Sequence, residues 1–208
     1  MIEFKLFGIP VRVEPLFWLT IAILGGGLSA KSSEGLLLVA LFVLAAFVSV
    51  LIHEMGHAMM IRKFGLPTEI TLTTLGGYAT YPAGVLSRKK SFLVTAAGPA
   101  IQIAFGIGVF FLARNISLES TQLDSFVTYL VWVSIIWAVF NCLPIYPLDG
   151  GQMLAAVLGP RRAKGLHITG MICAALVGLY ALTSGFMFMG LFMAMFTWQN
   201  YQMLQQHR

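Results

Sequence analysis

The chain has 208 residues, of which 58% are apolar and only 10% charged, with a mean hydropathy of +0.85. Soluble proteins carry about 25% charged residues, so a water-soluble globular enzyme is excluded and the sequence reads as an integral membrane protein of a single domain, 1–208, with little room for anything outside the bilayer. The net charge of +5, from 13 Lys and Arg against 8 acids, fits orientation in a membrane rather than nucleic-acid binding.

Apolar runs of about 20 residues predict an all-α protein with six transmembrane helices. Lys5 and Arg12 precede the first run without a small-residue cleavage signature, so that run reads as an anchor and not a cleaved signal. It covers 15–30 and is weakened by Gly25, Gly26 and Gly27. The second, 36–61, is followed by a polar, glycine-containing stretch from 62 to 90. A third helix is expected over 91–113 and a fourth over 125–143, where prolines interrupt it. The last two, 165–183 and 186–205, are joined by a short turn at Ser184 and Gly185. With both termini cytoplasmic, eleven of the 13 Lys and Arg fall on the inner side and only Lys31 and Arg114 fall outside, which is the asymmetry expected of a multi-pass cell-membrane protein. Five or seven spans would scramble it.

The second helix carries His53, Glu54, Met55, Gly56 and His57. Residues four apart share a helix face, so His53 and His57 can aim ring nitrogens at one point suited to Zn2+. Glu54 is placed to hold a water as general base instead of ligating the metal. Roughly 0.002 such HExxH matches are expected by chance in this composition, and ionisable groups inside an apolar run are costly and usually functional. From Leu36 to His53 is about 26 Å of helix, in a hydrocarbon layer of about 30 Å. The site should therefore lie in the cytoplasmic half.

A catalytic zinc needs a third protein ligand and an open position. Asp124 and Asp149 are the two aspartates of the chain. Asp124 stands at an outer helix start, where a carboxylate is ordinary capping. Asp149 ends the segment Asn141-Cys142-Leu143-Pro144-Ile145-Tyr146-Pro147-Leu148-Asp149-Gly150-Gly151. Two prolines three apart cannot continue a helix, and a Gly pair permits a sharp turn. Irregular backbone at membrane depth has to be buried in protein or line a wet cavity, which makes Asp149 the expected third ligand; a helix N-cap is its other reading. Asn141 can donate its amide to a developing oxyanion or make an interhelical hydrogen bond. His167 and His207 read as surface residues. Cys142 and Cys173 give neither a disulfide framework nor a metal pair.

Together the HEMGH run and the NCLPIYPLDGG segment resemble the site-2 protease family of intramembrane zinc metalloproteases, as does the Gly98-Pro99 pair on the intervening helix. The resemblance implies that His53, His57 and Asp149 bind zinc, that Glu54 activates water, and that Asn141 orients substrate or stabilises charge. It implies hydrolysis of a peptide bond within or near the transmembrane segment of single-span membrane proteins, as in regulated intramembrane proteolysis. Members often carry Asn a few residues after the Gly-Pro pair, where this chain has Gln102. Many append PDZ or CBS domains, which find no room here.

The run Thr71 to Tyr81 is rich in β-formers around a Gly-Gly turn, which predicts a hairpin. The resemblance suggests that it dips into the membrane between helices two and three, where its edge could pair with an unwound substrate segment; a plain cytoplasmic loop is the other reading. Phe and Met clusters of the last helix read as lipid-facing or packing residues. GxxxG-like spacings leave a homo-oligomer open without arguing for one. Two rivals are a secondary transporter, which lacks a repeat relating the two halves, and a zinc-binding scaffold, which would have no need of Glu54.

Overall fold

In the computed structural model residues 1–74, 76–115 and 120–206 are described, so Leu75, residues 116–119, His207 and Arg208 lie outside the described residues. The elements are β1 (Ile2–Leu6), β2 (Ile9–Val13), α1 (Pro15–Leu24), α2 (Ser33–Lys63), β3 (Glu69–Thr73), β4 (Gly76–Thr80), α3 (Arg88–Arg114), α4 (Thr121–Asn141), α5 (Asp149–Leu158), a 3-10 turn (Pro160–Arg162), α6 (Ala163–Thr183) and α7 (Met187–Gln206). Among the described residues, four helical segments are long and apolar enough to cross a membrane: α2, α3, α4 and Pro160–Thr183, which contains α6.

The first apolar run is helical for ten residues only. Beyond Leu24 the amides of Gly25 and Gly27 bond back to Ile21 and Ala22, and Gly26 takes a φ of +86°, a left-handed conformation that ends a helix at low cost in glycine. By contrast α2 runs for 31 residues. Ser32 caps its start by accepting from the Gly35 amide at 3.1 Å, and Arg62 and Lys63 sit in its last turn, where cations complement the helix dipole.

Two compact units can be distinguished, Met1–Ala83 with Ala97–Ala138, and Gly84–Ala96 with Val139–Arg208. The first contains a four-stranded sheet in the order β1-β2-β3-β4. The expected hairpin is present as antiparallel β3 and β4, but Gly76 and Gly77 are not its turn: they belong to β4, opposite Thr73 and Leu72. A second hairpin that the sequence reading did not foresee, β1–β2, joins it through parallel pairing of Val11 with Ile70 and Val13 with Leu72. The inward face of the sheet, Ile9, Val11, Val13, Ile70 and Leu72, packs on Phe17 and Ile21 of α1 and on Ala46, Val50 and Ala58 of α2. Burying each larger side chain contributes about 1.5–3 kcal/mol. On the exposed face Arg12 meets Glu3 at 3.3 Å and Glu69 at 3.6 Å, contacts that orient strands more than they stabilise them.

In the second unit α6 and α7 pack through small residues. Gly170 lies against Asn200, Gly178 against Met193, and Gly190 against Leu182, the close backbone approach that small side chains permit between membrane helices. His167 is a correction to the sequence reading. It is buried, not on the surface, because its Nδ1 finds Asn200 Oδ1 on α7 at 3.2 Å. At the end of α5, Arg88 donates to the carbonyls of Ala156, at 2.8 Å, and Val157, satisfying two acceptors that a helix C-terminus leaves open.

Candidate metal centre

The site begins on α2, where one stripe of the helix holds Ser49, His53 and His57 at four-residue intervals. All three are buried. The Nε2 atoms of His53 and His57 face each other 3.1 Å apart, with the rings edge to face and their centroids 4.8 Å apart. Two imidazoles on a tetrahedral zinc at about 2.0–2.1 Å would hold their nitrogens roughly 3.3 Å apart, so the pair fits the metal that the sequence implied. Glu54, also buried, points at β4: a Cβ on Gly77 would lie 2.7 Å from its Cγ and 2.9 Å from its Cδ.

The facing stripe of α3 explains how so polar a helix face is accommodated. Gly98 and Gln102, four residues apart, lie opposite His57 and His53. A Cβ on Gly98 would fall 2.3 Å from His57 Nε2, and one on Gly56 would fall 2.6 Å from the Ala97 carbonyl oxygen. Glycine on both helices thus lets the backbones close. Pro99, inside α3, removes the amide that would have bonded the Thr95 carbonyl. Gln102 is fully buried. Its Oε1 is 2.8 Å from His53 Nδ1, and its Nε2 reaches the Ser49 hydroxyl at 2.8 Å and the Ser49 carbonyl at 3.3 Å. The Ser49 hydroxyl continues to that of Ser134 on α4 at 2.9 Å. The sequence alone gives Gln102 no role, since its partners lie about 50 residues away and no local pattern announces them.

Asp149 and Asn141 lie in the second unit. Helix α4, expected to reach 143, stops at Asn141, and the expected unwinding follows: residues 142–148 form turns with a cis Tyr146–Pro147 bond. The expected sharp turn at the Gly pair is absent, since neither Gly150 nor Gly151 has positive φ. Both belong to α5, and they are small because the helix starts directly on the preceding loop: a Cβ on Gly150 would meet the Cys142 carbonyl oxygen at 2.1 Å, and one on Gly151 the Tyr146 amide at 2.4 Å. Asp149 is the first residue of α5 and is buried, the cap position itself being Leu148. Asn141 is half-buried at the last residue of α4.

Asn200 secures this loop from α7. Its Nδ2 donates to the Tyr146 carbonyl at 2.6 Å and to the Phe196 carbonyl at 2.9 Å, and the Tyr146 ring stands edge to face with His167 at 5.8 Å. No local pattern in the sequence marks Asn200. His53, His57 and Asp149 are each buried, and two imidazoles and a carboxylate are donor types that zinc accepts.

Comparison with known proteins agrees with this chemistry. The profile of peptidase family M50 matches residues 41–118 and 115–184, and the chain belongs to that family. A zinc metalloprotease of Methanocaldococcus jannaschii is 29% identical over 159 residues, covering 76% of this chain and 45% of that protein. Stage IV sporulation protein FB of Bacillus subtilis is 27% identical over 173 residues, covering 80% and 55%. The chain thus spans about half the length of these relatives. In three dimensions the fold matches the site-2 protease of Methanocaldococcus jannaschii with a TM-score of 0.69 at 23% identity, over 98% of this chain and 94% of that one.

Proposed function

We propose that the chain is the single catalytic domain of an intramembrane zinc metalloprotease, hydrolysing a peptide bond within or near the transmembrane segment of a single-span membrane protein. One observation carries the reading above all: two buried imidazoles whose Nε2 atoms converge to 3.1 Å, with the Glu54 carboxylate next to one of them in the chain and buried with them. His53, His57 and Asp149 hold the metal. When bound, zinc supplies Lewis acidity and lowers the pKa of water to about 7.

Glu54 takes a proton from the attacking water and returns it to the leaving amine. Asn141 donates its amide to charge developing on the carbonyl oxygen. A helical substrate hides its carbonyls in its own hydrogen bonds, so the scissile stretch must be drawn out. The outer edge of β4, whose Gly77 lies on Glu54, offers the backbone groups to hold such a stretch in extended form. The hairpin dips into the bilayer for this purpose.

Six passes with both termini cytoplasmic suit the distribution of basic residues. The parallel pairing of β2 with β3 supports the same topology, because α1 and α2 together then carry the chain out and back. The first pass rests on α1 with the turns after it, since ten residues rise only about 15 Å.

Substituting Glu54→Gln in the purified, liposome-reconstituted protein tests the assignment. Cleavage of a single-span substrate should fall by about 10²–10⁴-fold, the contribution of general acid–base catalysis, while one zinc per chain is retained. Undiminished cleavage by this variant would refute the role of Glu54.

A further inference from the structure

The geometry assigns Gln102 the task of fixing His53 in the tautomer that carries its proton on Nδ1 and its lone pair on Nε2. The inference deepens the zinc-ligand reading of His53 and rests on it.

The Ser49 carbonyl can only accept, so the end of the Gln102 amide facing it at 3.3 Å is the NH2 group, which also donates to the Ser49 hydroxyl at 2.8 Å. The amide oxygen is then the atom 2.8 Å from His53 Nδ1. An oxygen acceptor at that position requires N–H on Nδ1, and a neutral imidazole protonated there keeps its lone pair on Nε2. That is the nitrogen directed at His57.

The network also has a direction. Because the Ser49 hydroxyl oxygen accepts from Gln102, its own hydrogen is available to Ser134, 2.9 Å away. Gln102, Ser49 and Ser134 are each fully buried, so water does not compete for the amide. Reversing the amide would set oxygen against the Ser49 carbonyl and NH2 against Nδ1. Gln102 therefore acts through His53 as a positioning residue, as partners of metal-ligating histidines commonly do.

The test compares wild type with Gln102→Leu, which removes the acceptor facing Nδ1. Zinc affinity, measured by chelator competition on the full chain in detergent, should fall about 10–100-fold in Gln102→Leu. Because Gln102→Leu could also loosen the packing of three helices, 15N NMR of histidine-labelled wild type supplies a second readout. The metal-free protein should show the His53 proton on Nδ1, and the cadmium-loaded protein should show 113Cd–15N coupling to Nε2. A metal-free ring protonated on Nε2, cadmium coupling through Nδ1, or equal zinc affinity in wild type and Gln102→Leu would each overturn the assignment. A ring protonated on Nδ1 in a protein that binds no zinc supports the tautomer and overturns the ligand reading alone.

Discussion

Gly98 lies so close to His57 that a methyl group at its Cα would fall 2.3 Å from Nε2 and 2.4 Å from Cε1. The imidazole is thus held in place by the neighbouring backbone as well as by its own helix. Substituting Gly98→Ala should push the ring away from the point it shares with His53 and weaken zinc binding at least about tenfold, with overpacking costing about 1–3 kcal/mol of stability. Chelator competition and denaturant unfolding measure the two effects. Wild-type zinc affinity in a folded Gly98→Ala protein would contradict the close approach.

Gly77 plays the corresponding part for Glu54, with Cγ and Cδ within 3 Å of the place a Cβ would occupy. Gly77 does not need a left-handed backbone, so Gly77→Ala leaves the strand intact and displaces the carboxylate. A shift of about 1 Å at a catalytic group can reduce the rate about 10²-fold. The expected outcome is a low kcat with zinc content and KM near wild type, and proportional loss of bound zinc would point elsewhere.

Removal of the metal should be felt as a loss of stability. With free zinc at 100 times its Kd, binding to the folded state alone contributes about 2.7 kcal/mol. Thermal unfolding in detergent should therefore shift down on dialysis against chelator and recover on adding zinc back. The Asp149→Asn protein should show a much smaller shift. An identical response in Asp149→Asn and wild type would remove Asp149 from the ligand set.

Asn200 is expected to matter although it lies on the last helix. Truncation by Asn200→Ala leaves the Tyr146 carbonyl and His167 Nδ1 without the contacts that the amide makes to them, and a buried polar group so deprived costs about 1–3 kcal/mol. Equilibrium unfolding measures this directly. A change below about 0.5 kcal/mol, the range of ordinary surface substitutions, would mean that the loop before Asp149 does not depend on α7.

Local patterns carried most of the architecture. The long apolar runs predicted α2, α3, α4, α6 and α7 to within a few residues, since hydropathy is a property of the run itself, and the β-forming stretch around Gly76 and Gly77 predicted β3 and β4. The β1–β2 hairpin is harder to see although Ile2 to Val13 alternates and Phe7-Gly8 is a two-residue turn, because Lys5 and Arg12 beside an apolar run equally suit a membrane flank. Helix α5 escaped because ten residues beginning Asp-Gly-Gly have weak helical propensity, and tertiary packing on the 142–146 loop decides their conformation. Within the site, the histidine pair and Glu54 declare themselves by spacing. Gln102, Asn200 and the burial of His167 depend on partners 33 to 54 residues distant, a range at which a single sequence is silent.

The parallel ladder between β2 and β3 also constrains how the molecule comes into being. Residues 11–13 leave the ribosome 59 positions ahead of their partners in β3, an interval of about 3–12 s at usual synthesis speeds. For that time β1 shields one side of β2 while the other edge waits for the residues that follow α1 and α2. A chain arrested inside α2 would thus carry β1 and β2 without β3, an unfinished sheet with one edge of β2 still open.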